Sequence, residues 1–112
     1  MIKDDSVYLD HIIESFEKIS DYLRGVSYSD FIADEEKQDA VIRKLEVAGE
    51  ATKRLSPEFR ESYTDINWRA IAGMRDKLIH DYLDVDLDTV WETAINDIPN
   101  LLPALEAIKD NL

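Results

Sequence analysis

Apolar residues return every three or four positions in several stretches of this chain, which is the spacing of one buried face on an α-helix. In the first stretch Leu9, Ile12, Ile13, Phe16, Ile19 and Leu23 form such a face. Asp4, Asp5 or Ser6 is available as its N-cap, and Gly25 suits its end. The segment VSYSDFIAD (26–34) reads as a loop closing on Asp34. Asp34 can cap a second helix whose inner stripe is Val41, Leu45, Ala48, Thr52 and Leu55. In that helix Ala48, Gly49 and Ala51 are small enough to let another backbone come close. Ser56 followed by Pro57 predicts a stop and a restart, because serine suits an N-cap and proline the first helical position. A short helix, PEFRES, is expected to follow.

Asn67 predicts the start of a fourth helix, with Ile66 and Ile71 placed as a hydrophobic staple across it. Continued through the stretch MRDKLIHDY, its inward positions are Trp68, Ile71, Ala72, position 75, Leu78, Ile79 and Tyr82. A fifth helix is expected from near Asp86, with Val90, Trp91, Ala94, Ile95, Ile98, Leu101, Leu102, Leu105 and Ile108 on a broad apolar face. Pro99 and Pro103 should kink or divide it, since each removes a backbone donor and crowds the preceding turn. Strand-like alternation is nowhere sustained. The expected fold is all-α, an antiparallel bundle of about five helices forming one domain over residues 1–112, without internal repeat or linker.

Composition narrows the chemistry. With no cysteine there is no disulfide, thiolate nucleophile or cysteine-based zinc site. The acidic start and the lack of a long apolar run predict a cytoplasmic protein with no membrane partner. A net charge of −12 argues against nucleic-acid binding, which draws free energy from neutralising phosphates. The distribution softens that objection. Residues 1–42 hold 4 basic and 11 acidic side chains and residues 78–112 hold 1 and 8, whereas residues 43–77 hold 8 basic against 6 acidic.

Within that middle third, Arg75 stands where the helical period asks for leucine. A guanidinium does not shed its charge, so an arginine in this stripe needs a carboxylate such as Glu46 or Glu50, a wet cleft, or an anionic ligand. At about 100° per residue, Arg75 and Tyr82 fall on one face and His80 lies about 140° away. Asp76 precedes His80 by one turn, a spacing at which a carboxylate can orient an imidazole. A second subunit can close the remaining angle, so a site at a dimer interface is attractive. Each residue also has a plainer role: Arg75 in a buried ion pair, His80 as a helix C-terminal charge, Tyr82 as a core-edge aromatic, and His11 exposed on the first helix. The acidic runs read as caps and solvated faces, not as a calcium loop. No phosphate-cradling glycine loop, metal-ligand cluster or serine elbow is present, so no cofactor or metal is expected. Arginine and histidine together suffice for a phosphodiester in RNA, whose 2′-hydroxyl is a built-in nucleophile.

Three stretches, RKLEVAGEATKRLS (43–56), INWRAIAGMRDKLIHDY (66–82) and VWETAINDIPNL (90–101), resemble the HepT-like branch of the HEPN superfamily. That branch comprises the toxin-side proteins encoded beside minimal nucleotidyltransferases in prokaryotic toxin–antitoxin pairs. The resemblance runs from about residue 9 to 108, with Asn67 standing where many relatives have proline. It implies an α-helical homodimer whose paired Arg-x4-His-x-Tyr motifs form a metal-independent endoribonuclease site acting on tRNA or mRNA. On that view Arg75 and His80 are catalytic, and Asp76 supports them. Tyr82 is the position to which a cognate nucleotidyltransferase antitoxin transfers AMP. The alternative is a noncatalytic helical partner of such a nucleotidyltransferase.

Overall fold

A computed structural model describes residues 4–81 and 84–112, with the backbone alone for 79–81. Its frame is a pair of long helices. In α1 (Asp5–Tyr22) the Asp4 carboxylate accepts the Val7 N–H, satisfying one of the amides that a helix start leaves without a partner. In α3 (Glu35–Lys53) Asp34 does the same for Lys37, as expected. The two helices run antiparallel. Asp5, at the start of α1, accepts the N–H and hydroxyl of Ser56 at 2.8 Å each, just beyond the end of α3. At the other end the Lys37 ammonium donates to the Tyr22 carbonyl at 3.0 Å. Every residue of both expected stripes is buried, and Leu9, Ile12, Phe16, Ile19, Val41 and Ala48 are fully inaccessible. Gly25 is the positive-φ residue (φ 73°) in the turn after α1, a conformation glycine adopts without a Cβ clash.

The stretch expected to be a loop contains a further helix, α2 (Tyr28–Ile32). Ser27 accepts from the Asp30 N–H while the Asp30 carboxylate reaches back to the Ser27 N–H, a capping box that starts the helix and seats Phe31 fully in the core. The short helix α4 (Pro57–Ser62) follows Ser56 as the sequence predicts, with Ser56 accepting from the Phe59 N–H.

The expected fourth helix is two five-residue helices, α5 (Trp68–Ala72) and α6 (Met74–Leu78), with Gly73 between them. Asn67 caps α5, and Ile66 and Ile71 are both buried. The helical path ends at Leu78. Beyond it β1 (Ile79–Asp81) pairs antiparallel with β2 (Asp84–Val85), and the Asp86 N–H donates to the Leu78 carbonyl at 2.9 Å. Ile79 and Val85 are backbone partners in this register, and extended backbone suits β-branched residues better than a helix does. The sequence-based extension of the helix to Tyr82 is therefore corrected.

The last element is a continuous helical rod made of α7 (Leu87–Glu92), a π-helical turn (Thr93–Asp97) and α8 (Ile98–Asp110). The prolines do not divide it. The wide turn sits just before Pro99, which occupies the first turn of α8, where a missing N–H costs little. That turn also shifts the register. Ile95, assigned to the apolar face, is 39% exposed, whereas Val90, Ala94, Ile98, Leu105 and Ile108 are buried. α8 returns along α1, where Lys109 meets Asp10 at 2.8 Å. The architecture is the expected all-α antiparallel bundle, with more and shorter helices than five. Among the described residues no helix is long and apolar enough to cross a membrane.

Candidate functional site

α6 carries the arginine that the sequence singled out, but not in the core. The buried positions of α5 and α6 are Trp68, Ile71, Met74 and Leu78, so the apolar stripe passes through Met74. Around α6 Arg75 lies about 100° from Met74 and about 60° from Leu78, on the shoulder of that stripe. Its side chain is 53% exposed and turned toward α3. This corrects the expectation of a guanidinium buried in an apolar face.

Two carboxylates approach Arg75, neither closely. Its Nε lies 3.7 Å from Glu46 Oε2, and Nη1 lies 3.8 Å from Oδ1 of Asp76, itself 77% exposed. Contacts that long between half-solvated groups contribute little to stability, so they orient the guanidinium without consuming it. The plain alternative, an ion pair with Glu46, forms as a long and partly exposed contact and not as a buried one.

Arg75 borders a groove of about 650 Å³. α3 supplies its floor through Arg43, Glu46, Glu50 and Arg54, spaced three or four residues apart on one helical face. At 1.5 Å per residue, Arg43 and Arg54 are about 16 Å apart along the helix. α1 contributes Tyr8 and His11. Arg43 and Arg54 have no carboxylate partner among the described residues, so three cations border one channel in a strongly acidic chain. The channel is held in place by backbone packing. A Cβ on Gly49 would lie 3.3 Å from the Ala72 carbonyl oxygen, so α3 and α5 approach as closely as the sequence suggested, and α6 follows directly.

The structure thus places Arg75 at the groove edge, with its neighbour Asp76 3.8 Å away but not lining the groove. His80 lies in β1, past the end of α6, so the one-turn helical relation between Asp76 and His80 does not form. Its side chain, and all of Tyr82, lie outside the described residues. Sequence reasoning missed Arg43, Arg54 and His11 as groove residues. The 43, 46, 50, 54 spacing was a usable signal for the first two. His11 reaches the groove only through the packing of α1 on α3, for which no local pattern exists. Among the described residues no group of three or more metal-binding side chains occurs.

Comparison with known proteins gives this geometry a context. The family model described as "Ribonuclease HepT-like" matches residues 12–108. The chain belongs to the HepT-like family. A protein of Methanocaldococcus jannaschii named "Gamma-glutamylcyclotransferase and putative RNase" is 46% identical over 112 residues, all of this chain and 50% of that protein. The chain therefore spans half the length of that relative. A "Putative RNase" of Caldanaerobacter subterraneus is 45% identical over 94 residues, 84% of each chain. The "Probable ribonuclease HepT" of Thermococcus cleftensis is 42% identical over 102 residues, covering 91% of this chain and 93% of its own. No solved structure matches the chain. HepT-like membership agrees with the all-α bundle.

Proposed function

We propose that this chain is a metal-independent endoribonuclease, the toxin of a toxin–antitoxin pair, working as a homodimer in the cytoplasm. The observation that carries the reading is the half-exposed, loosely paired Arg75 beside Arg43 and Arg54 in one groove. Single-stranded RNA offers phosphates that such a channel can follow. The ribonuclease names of the relatives support the same substrate class.

In this reading His80 takes the proton from a ribose 2′-hydroxyl, and the 2′-oxygen attacks the adjacent phosphorus. The bond to the 5′-oxygen breaks, that oxygen takes up a proton, and the products are a 2′,3′-cyclic phosphate and a 5′-hydroxyl. Arg75 stabilises the charge that accumulates on the phosphoryl oxygens. Asp76 holds Arg75 from its exposed side, and Glu46 holds it from α3. The second subunit brings an equivalent motif to the shared site. AMP transfer onto Tyr82 by a cognate nucleotidyltransferase places a phosphate and a nucleoside next to this motif. Like-charge repulsion and bulk then keep RNA away.

The test is cleavage of total tRNA and mRNA by purified protein in EDTA. Wild type is expected to cleave, and His80→Ala and Arg75→Gln to lose about 10²-fold or more while keeping the wild-type melting temperature. The second reading, a noncatalytic partner of a nucleotidyltransferase, is favoured by the acidic residues 30–39 and 84–88, which repel RNA. It prevails if wild type and both variants are equally inert.

A further inference from the structure

On the other side of α6 from the Arg75 groove lies a second, narrower cavity of about 240 Å³, between the α5–α6 pair and the π-helical turn. Its walls are apolar, chiefly Met74 and Leu78, and Gly73 leaves one wall without a side chain. Three charged side chains border it: Arg69 and Lys77 from the α5–α6 pair, and Asp97 from the π turn. All three belong to exposed residues, so their charged ends can be met from solvent. None of the three has a side-chain hydrogen bond or ion pair among the described residues. The π turn that carries Asp97 is a rare geometry, found often where a helix presents a side chain to a ligand.

We infer that this cavity is a guanine-recognition subsite, which receives a base of the same RNA strand some nucleotides away from the bond held at Arg75. Apolar walls suit the faces of a flat base, and the open Watson–Crick edge of single-stranded RNA is available for reading. The two oxygens of Asp97 match the adjacent N1–H and N2–H donors of guanine. Adenine and cytosine place an acceptor nitrogen beside their single amino group, which a carboxylate repels, and uracil has one donor between two carbonyls. Arg69 and Lys77 at the mouth are placed for the flanking phosphates. Lys77 follows Arg75 by two residues and so points about 200° around α6. A strand held at Arg75 therefore reaches the cavity over the exposed outer face of α6. The inference rests on the ribonuclease reading for its substrate, but its test does not require catalysis.

The experiment measures binding of 2′-O-methyl RNA oligomers, which lack the nucleophile and cannot be cleaved, each with a single G, A, C or U in an otherwise constant abasic strand. The G oligomer should bind about tenfold or more tighter than the others. Asp97→Asn should remove that advantage and move the preference toward A, because an amide pairs with adenine. Asp97 is exposed, so this variant should melt as wild type does. Arg69→Gln with Lys77→Gln should weaken all four oligomers alike and flatten the salt dependence. Equal affinities for the four oligomers, or a preference unchanged in Asp97→Asn, would overturn the assignment. Guanosine 3′-monophosphate and GTP form the second arm, and tighter binding of either than of the G oligomer would overturn RNA as the source of the base. Selective G binding by a protein inert on every RNA would sink the nuclease reading and leave this subsite standing. Cleavage of RNA without base preference would do the reverse.

Discussion

The α1–α3 pair and the segment from Trp68 to Val85 are built on opposite terms. In the first, two long capped helices bury nearly unbroken apolar stripes, and their charged residues face water. In the second, two five-residue helices and a minimal strand pair follow one another within eighteen residues, too short for any of them to be stable alone. Their position is borrowed from the first region through the close backbone contact at Gly49 and the burial of Ile71, Met74 and Leu78. The contrast shows a division of labour. The rigid scaffold carries the stability and, on α3, Arg43 and Arg54 of the groove, whereas the short, irregular segment anchored to it sets Arg75 beside them.

That contrast can be broken most severely in the scaffold. Phe16 is fully buried between the long helices, so Phe16→Ala should cost about 3–5 kcal/mol, read as a large fall in the denaturation midpoint. A change below 1 kcal/mol would mean that the core lies elsewhere. At the anchor, Gly49→Val would press its side chain against the Ala72 and Ile71 carbonyls, which lie 3.3 and 3.4 Å from even a Cβ. The expected cost is about 1–3 kcal/mol. Displacement of α5 and α6 should lower RNA cleavage further than the stability loss explains. If activity and stability fell together, the anchor would have no special part in the site.

The smallest effect concerns the periphery, where Tyr28 donates to the Asp88 carboxylate and stacks edge-on against Trp91 at 5.9 Å. The hydrogen bond to Asp88 raises the Tyr28 pKa above its ordinary value, with burial and the carboxylate's charge adding to it. The neutral phenol is the bound form. The stabilisation is therefore present below the unfolded value of about 10 and is lost as pH rises through the higher folded one. Wild type should lose more thermal stability than Tyr28→Phe between pH 9 and pH 12 and resemble it in slope near pH 7. Parallel curves would remove this link between α2 and α7.

The same division explains what the sequence revealed. Long stripes such as Leu9 to Leu23 and Val41 to Leu55 repeat often enough to define a face, and Asp34, Ser56 and Asn67 are legible because an N-cap is a local chemical requirement. Short elements lack that redundancy. Over one turn, placing Met74 or Arg75 on the inner face fits the period almost equally well, and packing decides for Met74. The end of the helix at Leu78 depends on a strand partner several residues later. Ile95 was misplaced because a π turn inserts a residue that a strict 3.6 period does not foresee. The Ser27 and Asp30 capping box was visible in the letters, and its short spacing before Asp34 hid a five-residue helix inside an apparent loop. Of the groove, Arg75 was legible as a charge out of place in its stripe, and the spacing of Arg43 and Arg54 put them on one face of α3, but only tertiary packing brings those two and His11 to Arg75.

The central claim is that the three arginines of the groove hold RNA. The most direct measurement is an NMR titration following arginine Nε–Hε resonances as an uncleavable 2′-O-methyl oligomer is added at moderate salt. The account predicts that Arg43, Arg54 and Arg75 shift together and saturate at one affinity, while the exposed Arg24, paired with Asp21 at 2.7 Å, stays unmoved. Uniform small shifts across all arginines, or saturating shifts that leave Arg75 unmoved, would contradict it.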